Sequence, residues 1–208
     1  MMPDFSFEEK TGETLVAGVD EAGCGPWAGP VVAGAVLFLD RSLPKTLNTL
    51  LDDSKKLTPL KRETVYQALA DGEEEGRLVF ASAMASVDEI DHLNIRQAAL
   101  TAMQRAVEAL TIKPSYALVD GTGKPKLECP LLSLIKGDSL SCSIAAASVI
   151  AKVERDREMK RLAALFPGYG WERNAGYGTK AHQEALDSLG VTPHHRRSFA
   201  PIRKRLAA

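Results

Sequence analysis

Two apolar, β-branched runs, residues 14–20 and 30–39, are joined by a turn in which Asp20 and Glu21 stand side by side ahead of Gly23, Gly25 and Gly29. No other feature constrains the chain as much. Runs of this composition favour strands, and a glycine-rich link between them favours a tight connection. Two adjacent acids at the end of a buried strand repel one another unless something positive sits between them. A divalent cation meets that need, because Mg²⁺ is held by one or two carboxylates with waters and substrate phosphates. Consecutive strand residues face opposite ways, so Asp20 and Glu21 can share a metal only where the strand ends or bulges; Gly23 and Gly25 allow that. The glycines also let another backbone approach closely.

Residues 1–12 are polar and aperiodic, and residues 1–13 read as a flexible start. Thr58 as N-cap and Pro59 at the first helical position predict a helix over 59–71. Residues 77–86 read as a third strand. Ala99, Met103, Ala106, Val107 and Leu110 fall at helical spacing, which predicts a helix from Asn94 to residue 110. Ser115–Val119 is a short strand ending at Asp120-Gly121. Asp138 or Ser139 then caps a long helix whose stripe is Leu140, Ile144, Ala147 and Ala151, with Lys152/Asp156 and Asp156/Lys160 at four-residue spacing. A Gly/Tyr/Trp-rich loop over 167–178 precedes a helix from Lys180 to Leu189, stopped by Gly190.

Early strands followed by clustered helices indicate the α/β class, a mixed central sheet with helices packed on it. A catalytic domain over 14–190 and a basic, helical C-terminal segment over 191–208, packed on or extending it, are expected. The acids recur at strand ends, where ligand sites of open α/β sheets lie.

The 208 residues carry a net charge of −1, so no global basic signal marks a nucleic-acid binder. The charge is unevenly placed. Residues 71–91 hold seven acids against one arginine, whereas His194-His195-Arg196-Arg197 and Arg203-Lys204-Arg205 are basic, so a local phosphate-binding face is compatible with the total. Three cysteines without CxxC spacing fit a reduced, cytoplasmic compartment. No apolar run approaches the ~18 residues of a spanning helix.

Asp120 before Gly121 reads equally as a turn residue, and Asp138 taken alone reads first as a plain N-cap. Joined to Asp20 and Glu21, however, they make a four-carboxylate constellation. Such a cluster could hold two metals about 3.5–4 Å apart and orient a water against a phosphodiester. Hard oxygen donors accept Mg²⁺ or Mn²⁺.

The segment Val19-Asp20-Glu21-Ala22-Gly23-Cys24-Gly25-Pro26-Trp27-Ala28-Gly29-Pro30 resembles the signature of ribonuclease HII, the type 2 ribonuclease H family. The resemblance continues through Asp53–Leu57, Val119–Gly121, Lys136–Ser139, Ala145–Ser148, Ala151–Val153 with Arg155-Asp156, Gly176–Thr179 and His194–Phe199. It spans residues 14–203 in the family's order and spacing. It implies a ribonuclease H-like fold and a monomeric, metal-dependent enzyme. That enzyme cuts the RNA strand of RNA–DNA hybrids and incises duplex DNA 5′ of embedded ribonucleotides, leaving 3′-hydroxyl and 5′-phosphate ends.

The family's catalytic and metal-binding acids correspond to Asp20, Glu21, Asp120 and Asp138. Its Gly-Arg-Gly loop corresponds to Gly23, Cys24 and Gly25, with cysteine in place of arginine. Main-chain readout of a 2′-hydroxyl survives that change, while any guanidinium contact is lost. Tyr177 corresponds to the tyrosine that packs on the sugar after the ribonucleotide, and Lys55 and Lys56 are candidates for the phosphate near the cut. Arg196, Arg197, Arg203, Lys204 and Arg205 are expected to extend the electrostatic footprint. A replication or repair partner for the tail is left open. So are a binding module that has lost catalysis and a small-molecule phosphatase.

Overall fold

The computed structural model describes residues 2–51 and 57–207. The two apolar runs form β1 (Val16–Ala22) and β2 (Val31–Phe38), paired antiparallel in unbroken register from Ala17 opposite Leu37 to Ala22 opposite Val32. β3 (Leu78–Ala85) adds antiparallel to β2. On the other flank, β4 (Tyr116–Asp120) runs parallel to β1, and β5 (Leu131–Leu134) runs parallel to β4. The order β3-β2-β1-β4-β5 is a mixed sheet in which β1 is central. The C-terminal ends of β1, β4 and β5 therefore share one edge.

Helices cover both faces. Ala17, Val19, Ala33 and Ala35 point to one side, where they meet Ala98, Ala102, Met103 and Ala106 of α5 (Ile95–Glu108). α4 (Val87–Leu93) leads into α5. Val36 and Phe38 point to the other side, against Ala146, Val149 and Ile150 of α6 (Cys142–Leu165) and Val65 and Leu69 of α3 (Pro59–Glu74). The small-residue run Ala145–Ala147 lets α6 press on the sheet, and Gly18 and Gly34 complete the fit. A Cβ on Gly18 would collide with the Ser143 peptide, and one on Gly34 with the Ala147 carbonyl.

Beyond α6, α7 (Trp171–Asn174), α8 (Lys180–Leu189) and α9 (Ala200–Leu206) close around Trp171, Leu186, Ile202 and Ala28. The tail returns to the glycine turn: Gly29 N–H donates to His194 O (2.9 Å), and Arg196 N–H to Trp27 O (2.8 Å).

Thr58 caps α3 with Pro59 in its first turn, as the sequence indicates. Other parts differ from expectation. Within the segment read as flexible, Ser6–Lys10 is a helix, α1, and Glu8 is buried where its Oε1 accepts from Ser141 Oγ (2.7 Å) and Ser143 N–H (2.9 Å). α2 (Lys45–Leu50), α4 and β5 were not anticipated. α4 carries a capping box, Ser86 and Glu89, hidden within an acidic stretch that reads as surface. The cap of α6 is neither Asp138 nor Ser139. Those two lie in a 3₁₀ turn over Gly137–Ser139, and Ser141 caps the helix by accepting from Ile144 N–H at 3.2 Å.

Candidate active site

β1 keeps its alternation to its last residue, so Asp20 and Glu21 leave the sheet on opposite faces. Asp20 belongs to the α6 side, in a cavity of 210 Å³ that it lines with Glu21, Gly23–Gly25, Lys152, Arg155 and Tyr177. Glu21 borders a second cavity of 470 Å³ on the α5 side, lined by Cys24, Ala99, Met103, Asp120 and Gly121. Glu21 and Cys24 border both. One step beyond the paired residues Val19 and Val119, Asp20 and Asp120 occupy equivalent places on adjacent parallel strands.

Each acid has an identifiable setting. Asp20 Oδ1 accepts Glu21 N–H at 2.7 Å, and Asp120 Oδ1 accepts Gly137 N–H at 2.6 Å. The second bond ties β4 to the 3₁₀ turn that holds Asp138, itself buried, with Ser139 Oγ donating to Asp138 Oδ1 at 3.3 Å. All four residues thus reach one edge of the sheet. Among the described residues, however, no three His, Cys, Asp or Glu side chains are gathered closely enough to hold one ion. β1 sends Asp20 and Glu21 to opposite faces and ends one residue later without a bulge, so of the two cavities only the smaller is lined by both. The donor chemistry still suits a hard divalent cation, since all four candidates offer carboxylate oxygens.

Cys24 Sγ–H points to Glu21 Oε1 at 3.5 Å. Burial, and then the charge of Glu21, push the thiol up to about 12, so it is neutral and unreactive at physiological pH. Tyr177 is half-exposed, and a Cβ on Gly25 would touch its ring at 3.3 Å, so only a residue without a side chain leaves room between loop and tyrosine.

Tyr177 stands on a buried aromatic base. Its carbonyl accepts His182 Nδ1–H (2.9 Å), and His182 Nε2 lies 3.1 Å from both Trp171 Nε1 and His195 Nε2. Tyr169 and Trp171 are packing residues, stacked at 5.0 Å.

Lys55 and Lys56 lie outside the described residues. Arg197, Arg203 and Lys204 are exposed, while Arg205 pairs with Asp187 at 3.0 Å. Arg196 is not part of a surface footprint: it is fully buried and spent on main-chain carbonyls of the glycine turn. Arg155, also buried, does the same. Sequence reading missed this role for both. Arg155 stands between Glu154 and Asp156 in a charged stretch and Arg196 in a basic run, so chain order gives no signal that either is buried.

The family model for ribonuclease HII matches residues 17–202. The ribonuclease HII of Gluconobacter oxydans is 54% identical over 207 residues, covering 100% of this chain and 98% of the relative. Among solved structures, ribonuclease H2 from Pyrococcus horikoshii superposes with a TM-score of 0.74 at 31% identity, over 91% of this chain and 96% of that one. A Bst-RNase HIII solved with Mn²⁺ shares the fold at a TM-score of 0.71 and 20% identity, over 94% of this chain and 70% of that one.

Proposed function

This chain belongs to the ribonuclease HII family, a family of nucleases, and we propose that it hydrolyses the RNA strand of RNA–DNA hybrids and incises duplex DNA on the 5′ side of embedded ribonucleotides. The products are a 3′-hydroxyl and a 5′-phosphate. The observation that carries this reading is the convergence of Asp20, Glu21 and Asp120 on one sheet edge, beside a glycine loop and an exposed tyrosine in the same cavity system.

Asp20, Glu21, Asp120 and Asp138 would hold Mg²⁺ or Mn²⁺, and Mn²⁺ in the RNase HIII relative is consistent with that donor set. When bound, such ions would supply activation of an attacking water and charge stabilisation for the leaving oxygen. The chain's own residues supply position. Gly23, Cys24 and Gly25 present main-chain groups to a ribose, whose 2′-hydroxyl both donates and accepts. Tyr177 packs on the next sugar, where a further hydroxyl would be crowded, so the cut favours an RNA-to-DNA junction. Lys55, Lys56 and the exposed tail cations Arg197, Arg203 and Lys204 grip phosphates without reading bases. A monomer working in the cytoplasm is part of this reading; among the described residues no helix is long and apolar enough to cross a membrane.

Cleavage mapping decides the matter. Matched duplexes, one with a single ribonucleotide and one with an all-RNA strand, are incubated with Mg²⁺ and with Mn²⁺. The expected result is a single cut 5′ of the lone ribonucleotide and multiple cuts in the hybrid. Turnover of simple phosphate esters with neither duplex cut would instead favour a small-molecule phosphatase.

A further inference from the structure

The turn from Gly23 to Pro30 is held from beneath by two arginines. Arg196 donates Nη2–H to Gly23 O (2.6 Å) and Pro30 O (3.2 Å), Nη1–H to Cys24 O (3.0 Å) and Nε–H to Gly29 O (2.9 Å). Arg155 donates Nε–H to Pro30 O (3.1 Å) and Nη2–H to Ala28 O (3.3 Å) and Ala175 O (3.1 Å). Neither guanidinium pairs with a carboxylate among the described residues. A buried cation is tolerated only when its donors are satisfied. Here peptide carbonyls accept those hydrogen bonds, and the Phe199 ring, 5.1 Å from the Arg196 guanidinium carbon, adds a cation–π contact. Burial, then the neighbouring charge of Arg155, pull Arg196 down to about 9, which still leaves it protonated at neutral pH.

The geometry has a direct consequence for the other side of the loop. Within one trans peptide unit, C=O and the following N–H point in opposite directions. Drawing the Gly23 and Cys24 carbonyls down onto Arg196 therefore turns the Cys24 and Gly25 N–H groups away from it. Neither N–H has a protein acceptor among the described residues, and both residues line the cavity shared with Asp20, Glu21 and Tyr177. Gly23 is needed for this approach: its φ is +101°, and a side chain there would strike Arg155.

We infer that Arg196 is a specificity-determining positioning residue, which fixes the Gly23 and Cys24 carbonyls and so aims the Cys24 and Gly25 N–H groups at a ribose 2′-hydroxyl. This rests on the ribonucleotide-directed activity proposed above. A lysine would keep the charge but could not span four carbonyls, because it lacks the planar fork.

The test is fluorescence anisotropy without divalent metal, so that no strand is cut. The parent protein and Arg196→Lys are compared on an all-DNA duplex and on the same duplex with one ribonucleotide. The parent is expected to prefer the ribonucleotide, and Arg196→Lys to lose about tenfold of that preference, the value of roughly one hydrogen bond. The salt dependence of all-DNA binding should not change, since a buried arginine neutralises no phosphate. A folded Arg196→Lys that keeps the preference overturns the inference, as does an equal loss on both duplexes. Should that variant not fold, the parent supplies the readout: Cys24 and Gly25 amide resonances shift with the ribonucleotide duplex and not with all-DNA. Equal shifts overturn the inference. A parent that binds both duplexes equally removes the ribonucleotide reading itself, and this inference with it.

Discussion

Gly137 donates its N–H to Asp120 Oδ1 at 2.6 Å, and this one bond fastens the end of β4 to the turn that carries Asp138. A Cβ on Gly137 would sit 2.6 Å from Ile144 Cδ1 and 3.3 Å from that same Asp120 oxygen. Gly137→Ala should therefore displace the turn and lengthen the bond while leaving the sheet intact. Loss of a group that orients a candidate metal ligand costs about 10–100-fold in activity or metal affinity. Steady-state cleavage and metal titration together check this. Full activity in Gly137→Ala would show that the link is dispensable.

Asp20→Asn removes one of the carboxylates that face the phosphodiester in the proposed chemistry but keeps the side chain's shape. Cleavage should fall to background with either metal while duplex affinity is kept or rises, because a negative charge near the phosphates has gone. Gel-shift and cleavage assays on the same preparation read both quantities. Retained activity would remove Asp20 from the catalytic set.

Tyr177→Ala strips the one exposed aromatic beside Gly25. Packing of this kind is worth about 1–3 kcal/mol per contact. The expected loss falls on the preference for an RNA-to-DNA junction, with cutting of long hybrids less affected. The ratio of the two rates checks it, and an unchanged ratio would assign Tyr177 to loop packing alone.

Much of this was legible in the sequence because the relevant signals are local. Strand runs at 14–20 and 30–39, the Thr58-Pro59 start and the Gly190 stop each rest on a few adjacent residues, and the structure forms them within one or two positions. Long-range matters were not legible. Nothing near Glu8 in the chain says that it will reach Ser141 and Ser143. Four-residue β5 is too short to show alternation. Arg196 sits in a basic run whose ordinary fate is solvent, and only the return of the tail to the glycine turn makes it a buried fork. The acid pair was legible as a feature. Its division between two faces depended on whether β1 bulges, which the glycines alone do not decide.

The histidines beneath Tyr177 set a limit on acid stability. Thr192 N–H donates to His195 Nδ1 at 2.9 Å, so that nitrogen carries no proton and His195 Nε2–H points at His182 Nε2. Trp171 Nε1–H also points at His182 Nε2, while His182 Nδ1–H is given to Tyr177 O. A proton added to either ring would face another donor, so both rings are neutral in the fold. Burial, then the charge of His182, takes His195 down to about 4, and burial lowers His182 as well. Unfolded histidine titrates near about 6.5. Between these values the unfolded chain binds more protons than the native one, so stability is full above about pH 6.5 and falls as pH drops toward 4, by up to about 1.4 kcal/mol per pH unit for His195. Urea unfolding at pH 7 and pH 5 should show that decline before most carboxylates protonate. His195→Gln should be less stable at pH 7 yet lose less on going to pH 5. An equal pH dependence in parent and variant would show that the pair does not titrate between those states.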